Sequence, residues 1–452
     1  MKMSDAKGST TSRQAAQRRS GGKILPVSAG TGGEGAGSVP SPAGGVNRYS
    51  SPSDLRITDV RACTIAGAER FIYPTIRIDT NQGVHGLGEA FVLGNAGQAL
   101  AFKPYLVGKN PLEMEPILQS IRRFTNQDAS GGYSAIDVAL HDIAGKVYGV
   151  PVWRLLGNKL RDRVQIYCDT RDDPDPKVYG ARMAERKKLG FTFFKFDLHT
   201  HLVAGKHGAV HRNGAATEKG LGYLCEIVEA MRDAIGWDVP LAADHFGNLS
   251  LKDCIRYARA FEHYQLAWAE DMLPCTDWQG LKAISQATTT PQLTGEYGFG
   301  LKEAFRPLLD HRAVDLIHPD VTVCGGLLEL RRIAEYADLC GIPVALHSCN
   351  GPVAQAASIH AAAVMMNFVA LEYHAVECPF WADLATGPVR PIVEQGFMRV
   401  PEAPGLGIEL NDEVVRQHLK EPGYFEPTPM YDQPILGGRP SNPNSNSWRQ
   451  LF

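Results

Sequence analysis

An α/β protein built on a closed parallel barrel is predicted, and three observations predict it. From about residue 164 short apolar runs alternate with amphipathic helical patterns. There are eight such runs, with seven helix-bearing connections between them. Charged and titratable side chains stand at the ends of most runs, where barrels of this kind gather their chemistry. An open doubly wound sheet is the competing arrangement. It would concentrate ligand-binding residues at one switch point and carry a Gly-x-Gly-x-x-Gly turn after its first strand, and neither feature is present.

The elements follow in order. The first fifty residues are rich in Gly, Ser, Ala, Thr and Pro and nearly free of aromatics, which is the composition of a disordered tail. Arg18-Arg19 ahead of KILPV is only a faint twin-arginine export pattern, because the apolar stretch after it is about five residues long. Order begins near Leu55. ITDVRACTIA and FIYPTIRIDT are strand-like, NQG is a turn signal, and VHGLGEA completes an antiparallel segment. A helical region runs from about 97 to 148, in which Ile136, Ala139, Leu140 and Ile143 fall at helical spacing. The barrel strands are then VQIYCD (164–169), FTFFKFD (191–197), PLAADHF (240–246), LAWAED (266–271), PQLTGEY (291–297), VDLIHPD (314–320), PVALHS (343–348) and FVALEY (368–373). The helices between them include PKVYGARMAERKKLG, EKGLGYLCEIVEAMRDAIG, LKDCIRYARAFEHY and LLELRRIAEYADLCG. The closing GGRPSNPNSNSWRQLF reads as loop.

Bulk properties narrow the partners. A net charge of −3 over 452 residues offers no basic surface to a nucleic acid or an anionic membrane. No apolar run reaches the ~18 residues of a membrane span. The nine cysteines follow no metal or redox spacing, so reduced, buried thiols in a cytoplasmic protein are expected.

The predicted strand ends carry Lys195 and Asp197, Asp244, Glu270, Glu296, Asp320, His347 and Glu372. One acid at a strand end is an ordinary helix cap or loop residue. The set is different, because Asp244 to Glu270 and Glu270 to Glu296 are both 26 residues, one strand–helix unit each. Three carboxylates on adjacent strands facing one mouth repel one another, and a divalent cation resolves the repulsion. With oxygen ligands only, Mg²⁺ fits better than Zn²⁺. His347 lies 27 residues after Asp320, again one unit, so an Asp on the neighbouring strand orients the imidazole as a base needs. Lys195, beside a cation in the barrel mouth, is expected to have a depressed pKa. Together these are parts for removing the proton next to a carboxylate.

With these motifs in hand, the chain resembles an enolase-superfamily enzyme of the mandelate racemase subgroup. The resemblance runs from about 55 to 412. It rests on GLGEA, YSAIDVALHDIAGKVYGVPVWRLLG, the equally spaced acids, HPDVTVCGG, ALHSCNGPVAQAA and PGLGIEL. It implies a (β/α)7β modified TIM barrel with an α+β capping domain made from the N-terminal segment and the C-terminal tail. The expected division is a tail at 1–54, the cap at 55–155, the barrel at 156–400 and a segment returning to the cap at 401–452. It implies Asp244, Glu270 and Glu296 as Mg²⁺ ligands, Asp320 and His347 as the dyad, Glu372 as a contact to the substrate carboxylate, and a homo-oligomer.

Two departures bear on the mechanism. Where the subgroup often has Lys-x-Lys, this chain has Lys195-Phe196-Asp197, which favours His347 as base and Lys195 as helper. Where acid-sugar dehydratases have Asp-x-His with the His as general acid, this chain has Asp244-His245-Phe246, and strand alternation would point His245 away from Asp244. The loop after Lys195 holds His199, His201, His207 and His211. It is expected to form a polar lid over a polyhydroxylated substrate rather than a zinc cluster. Asp197, His199, His201 and His374 are candidate substrate contacts, and the cap loop Ala66–Pro74 is the other specificity wall.

The function these features lead to is a Mg²⁺-dependent lyase that dehydrates a small sugar acid to a 2-keto-3-deoxy acid. A cycloisomerase opening an anhydro-sugar acid would use the same dyad. A racemase or epimerase would need Lys195 and His347 as opposed bases, and a non-catalytic binding scaffold would not need the dyad at all.

Overall fold

The computed structural model describes residues 52–67, 71–125, 130–387 and 391–434. The N-terminal tail with Arg18-Arg19, the GGRPSNPNSNSWRQLF terminus and the centre of the Ala66–Pro74 loop lie outside them. Three antiparallel strands come first: β1 (Ile57–Ala66), β2 (Ile72–Thr80) and β3 (His85–Glu89). The region expected to be helical breaks into Gly97–Leu100, Lys103–Leu106, Met114–Arg122 and the long Ser130–Tyr148. The long helix packs directly on β3. A Cβ at Gly86 would meet the Ala139 carbonyl oxygen at 2.1 Å, and one at Gly88 would meet that of Ala135 at 2.0 Å. The GLG of the sequence motif is therefore a contact surface, where only glycine lets backbone reach backbone.

The barrel follows. Its strands are β4 (Arg163–Cys168), β5 (Phe194–Asp197), β6 (Leu241–Asp244), β7 (Ala269–Glu270), β8 (Gln292–Thr294), β9 (Leu316–Ile317), β10 (Val344–Leu346) and β11 (Phe368–Tyr373). They pair in parallel in chain order, and β11 closes on β4 through Leu371↔Ile166, Glu372↔Tyr167 and Tyr373↔Cys168. Each of the seven connections carries a helix. Several of these begin on the capping residue that the sequence offers: Asp175, Thr217, Ser250 and Asp277 each accept a hydrogen bond from a backbone N–H in the first turn. The regular strands are shorter than the apolar runs, yet pairing continues beyond them. Ala267 N–H donates to Leu241 and Asp271 N–H to Leu293, at 2.7 and 3.0 Å. Inside the barrel Tyr167, Phe193 and Trp268 interlock with Ala242, Leu293, Ala345 and Ala370. This large-against-small layer is a solid floor beneath the mouth.

The C-terminal segment runs back along the first sheet. Lys420 N–H donates to Thr64 and Phe425 N–H to Ala62, at 2.8 and 3.2 Å. Asp142 on the long helix accepts from Leu87 N–H of β3 (3.0 Å) and Leu406 N–H (2.8 Å), joining sheet, helix and returning segment in one buried carboxylate. His360, on the helix Pro352–Val364, makes a second joint. Its Nδ1 accepts from Trp153 N–H (3.2 Å) and its Nε2 faces the Leu406 carbonyl oxygen (3.1 Å), so both nitrogens are committed to a neutral ring. Burial lowers its pKa from 6.5 to about 4.

That joint makes the fold acid-sensitive. Between pH 6.5 and 4 the unfolded chain takes up a proton that folded His360 refuses, so stability falls as pH falls through this window, by roughly 3 kcal/mol in all. In urea unfolding at pH 7 and pH 4.5, His360→Gln is expected to lose about 2 kcal/mol less than wild type over that interval. Equal losses in the two proteins would show that His360 is not the acid-sensitive joint.

Candidate active site

The mouth of the barrel encloses a cavity of about 390 Å³. Its inner wall carries Lys195, Asp197, Asp244, His245, Glu296, His347 and His374, and its rim carries Phe71, Phe91, Leu93 and Tyr297 from the first sheet's loops and the end of β8. Asp197 and Asp244 are register partners on β5 and β6. Ala243 pairs with Ala269, which sets Asp244 level with Glu270 on the next strand.

Lys195 is the hub of one half of the site. Its Nζ lies 2.9 Å from Asp244 Oδ2, 2.9 Å from Glu270 Oε1 and 2.5 Å from Glu372 Oε1. Burial pulls its pKa down, but the three carboxylates outweigh burial and hold it well above the ordinary lysine value. The expectation of a depressed pKa is therefore wrong: it weighed a cation beside Lys195 and not the anions that surround it. His347 is the hub of the other half. Its Nδ1 lies 2.7 Å from Asp320 Oδ2, and its Nε2 lies 3.2 Å from Glu296 Oε1 and 3.5 Å from Glu372 Oε2. Asp320 is held in turn by Asn350 Nδ2 (2.9 Å) and by the N–H and hydroxyl of Thr322 (both 2.6 Å). Burial disfavours the imidazolium, yet Glu296 and Glu372 raise the His347 pKa well above its usual value.

The remaining acids feel one another. Burial and the neighbouring Asp244 raise the Glu270 pKa far above the carboxylate range, and burial raises that of Glu296. Asp244 and Glu372 are also buried but are held low, chiefly by Lys195. Four carboxylates, each at most 5% exposed, thus crowd around one lysine, with only imidazoles among the described residues as further partners for their charge. This donor set fits a hard divalent cation, being oxygen-only, buried and short of positive charge. Asp244, Glu270 and Glu296 do not converge on a single point. Asp244 and Glu270 meet at Lys195, while Glu296 lies beyond the end of β8, after Gly295 at φ 132°, and turns to His347. Among the described residues, the possible ligand atoms of Asp197, Asp244 and His245, and those of Asp169, Glu372 and His374, lie within 4.8 Å of one another in each set.

His245 departs from the alternation rule. Its backbone is left-handed (φ 54°), which ends β6 and swings the ring back, so that Nδ1 sits 2.7 Å from Asp244 Oδ1 at the cavity wall. Burial opposes its charge, but Asp244 raises its pKa to about 10. His374 Nε2 lies 3.1 Å from Glu372 Oε1, and its Nδ1 lies 3.5 Å from Asp169 Oδ2. The loop after Lys195 divides. His199 and His201 reach the cavity and pack with ring centroids 4.5 Å apart. His207 and His211 point to solvent, so the four histidines form no common cluster.

Comparison with known proteins agrees with this architecture. A family profile described as Enolase C-terminal domain-like matches residues 179–414. Another, described as Mandelate racemase / muconate lactonizing enzyme, N-terminal domain, matches residues 57–157. The chain belongs to the enolase superfamily. A D-xylonate dehydratase of Haloferax volcanii is 35% identical over 395 residues, covering 85% of this chain and 92% of that one. A D-mannonate dehydratase of Caulobacter vibrioides is 27% identical over 398 residues, covering 82% and 96%. The crystal structure of a mandelate racemase/muconate lactonizing enzyme-like protein from Rubrobacter xylanophilus superposes with a TM-score of 0.75 at 33% identity, over 82% of this chain and 99% of that one. The resemblance read from the motifs is borne out, and the protein is an enzyme of the dehydratase, or lyase, class.

Among members of the superfamily, this site carries several residues that spacing alone did not single out. Asn350 and Thr322 brace Asp320, Trp268 Nε1 donates to Glu270 Oε2 (2.8 Å), and Glu89 of β3 accepts from Ala354 N–H (3.2 Å) and from Gly351 N–H. Asn350, Thr322 and Glu89 all lie inside the quoted motifs ALHSCNGP, HPDVTV and GLGEA, and that position was their only signal.

The charge balance has a measurable consequence. In EDTA, Lys195→Met is expected to be less stable than wild type by roughly 3–5 kcal/mol, because the buried acids lose their ammonium. Mg²⁺ is then expected to raise its thermal midpoint by more than it raises that of wild type. A Mg²⁺ response no larger than the wild-type one would show that these acids do not share a cation.

Proposed function

We propose that the protein is a Mg²⁺-dependent sugar-acid dehydratase that removes the α-proton and the β-hydroxyl of its substrate as water. The observation that carries this reading is the placing of two imidazoles in one cavity. His245 follows the third barrel strand and His347 the seventh. In a closed barrel of eight strands these are four steps apart, so the rings face each other across the mouth with the acidic strand ends between them.

Mg²⁺, held by Asp244, Glu270 and Glu296, would supply the positive charge against which negative charge developing on the substrate carboxylate is stabilised. Lys195 adds its ammonium to the same end, and it cannot serve as a base while it donates to three carboxylates. His347 takes the α-proton on Nε2 in its neutral form, which requires Glu296 and Glu372 to release the proton they hold there, with Asp320 fixing the tautomer through Nδ1. His245, on the opposite face, gives its proton to the departing β-hydroxyl. The C–H and C–O bonds break, water leaves, and the enol rearranges to a 2-keto-3-deoxy acid. Asp197, His199, His201 and His374 line the same cavity with donors and acceptors suited to hydroxyl groups. The dehydratase relatives, named for D-xylonate and D-mannonate, support a sugar acid as substrate. The epimerase alternative would need Lys195 as its second base, and Lys195 is engaged by three carboxylates.

The test is a screen of aldonic, aldaric and anhydro-sugar acids in D₂O. On the acid that turns over, His347→Asn is expected to lose both dehydration and α-deuteration by about 10²–10⁴-fold. His245→Asn is expected to keep α-deuterium exchange while keto-acid formation falls. Exchange surviving in His347→Asn would remove it as the base, and undiminished elimination in His245→Asn would remove it as the acid.

A further inference from the structure

His318, in the HPD motif, takes no part in the scheme above. It follows β9 directly, its N–H donates to the Thr294 carbonyl at 3.1 Å, and its side chain is fully buried. Nδ1 stands 3.4 Å from Glu270 Oε1 and Nε2 stands 3.6 Å from Asp271 Oδ2. Neither nitrogen reaches hydrogen-bond geometry among the described residues. Buried polar atoms left in this way are costly, so the position calls for a physical reason.

The surroundings supply one. Asp271 is in a left-handed conformation (φ 45°), which turns its side chain back toward the barrel where strand alternation would send it away. There Asp271 Oδ1 accepts from Thr294 Oγ1, leaving Oδ2 toward His318. On the other side of the ring, Glu270 has its Oε2 fixed by Trp268 and its Oε1 shared between Lys195 and the His318 edge. The same ring lies edge-on to His347, with centroids 5.8 Å apart and planes at 86°. The ring thus stands between two carboxylates, close enough to each that a modest reorientation brings one of its nitrogens into hydrogen-bond geometry.

We propose that His318 is a positioning residue: with Asp271 behind it, its imidazole fixes Glu270 for a divalent cation and forms the surface on which His347 rests. This rests on the reading that Asp244, Glu270 and Glu296 hold such a cation. A packing histidine would need only its shape, whereas this role needs its nitrogens.

The experiment is Mn²⁺ titration of the purified full-length chain, followed by electron paramagnetic resonance, with folding checked by circular dichroism. His318→Phe keeps a flat ring and removes both nitrogens, and it is expected to bind Mn²⁺ about 10-fold or more weakly than wild type, in the range of supporting groups around metal ligands. His318→Gln, with an amide able to reach Glu270, is expected to recover part of the loss. Asp271→Asn is expected to weaken binding in the same direction, and the double variant H318F/D271N to bind no more weakly than His318→Phe alone. Wild-type affinity in folded His318→Phe overturns the proposal. If His318→Phe does not fold, wild-type affinity in Asp271→Asn overturns it. Absence of Mn²⁺ binding by the wild type would instead sink the cation reading, and this proposal with it.

Discussion

The constraint on which the site depends is the convergence of buried negative charge at the barrel mouth. Asp244, Glu270, Glu296 and Glu372 are all removed from water, and the positive charges nearest to them are Lys195 and, when protonated, the imidazoles of His245, His347 and His374. Carboxylates in this state either take up protons or gather cations. The protein prepares the second course. It spends backbone strain to aim its cations: the left-handed residue at His245 costs roughly 1–2 kcal/mol, and it turns a ring that would have faced outward onto Asp244. Neutralising Glu296 with a bound cation would also remove one of the pulls that keep the His347 proton in place. In the proposed mechanism, cation binding and base strength would thus be linked through one carboxylate.

The fold serves this constraint by making the mouth rigid from below and behind. The interlocked Tyr167, Phe193 and Trp268 close the barrel beneath the acids, and Trp268 also reaches up to fix Glu270. The segment carrying His347 is tied on every side. Ser348 N–H donates to Glu372, Ser348 Oγ bonds Gln355, Asn350 holds Asp320, and Trp381 Nε1 donates to the Asn350 carbonyl. The last tie comes from the first sheet: Glu89 accepts from the N-terminal N–H groups of the helix that follows this segment. Glu89 is itself buried, and burial raises its pKa to about 8. The antiparallel sheet therefore contributes walls to the cavity and also a restraint on the base.

Much of this was legible in the sequence because the signals were periodic or paired. Eight apolar runs alternating with helical patterns pointed to a parallel sheet covered by helices, and titratable residues at the ends of most runs favoured the closed barrel over an open sheet. The equal 26-residue spacing of Asp244, Glu270 and Glu296 placed them on consecutive strands, and the 27 residues from Asp320 to His347 placed the dyad. What failed was the extrapolation of strand alternation past the last paired residue. His245 and Asp271 each follow a strand-end acid, each has positive φ, and both turn where alternation says they should not. Histidine and aspartate are among the non-glycine residues that take positive φ most readily, so their identity permits the turn, but most residues of these types do not make it and the sequence alone does not announce it. The Lys195 expectation failed for a related reason: the sequence supplies the residue types at a mouth but not how many anions will crowd one ammonium.

The two left-handed residues also explain how this chain departs from an Asp-x-His pattern without losing an imidazole at the cavity. In a regular strand, a ligand and a second side chain on the same face need one residue between them. Here Asp244 and His245 are adjacent, and a rotation about one backbone bond takes the place of the missing spacer. The ring arrives beside Asp244 rather than a full strand step beyond it, at 2.7 Å. An acid placed this way is coupled to the cation site through a shared carboxylate, whereas one reached through a spacer stands free of it. In the mechanism proposed above, a cation at Asp244 would weaken the hold of His245 on its proton, so that the event preparing one face of the cavity for the substrate carboxylate would also ready the other to protonate the leaving hydroxyl.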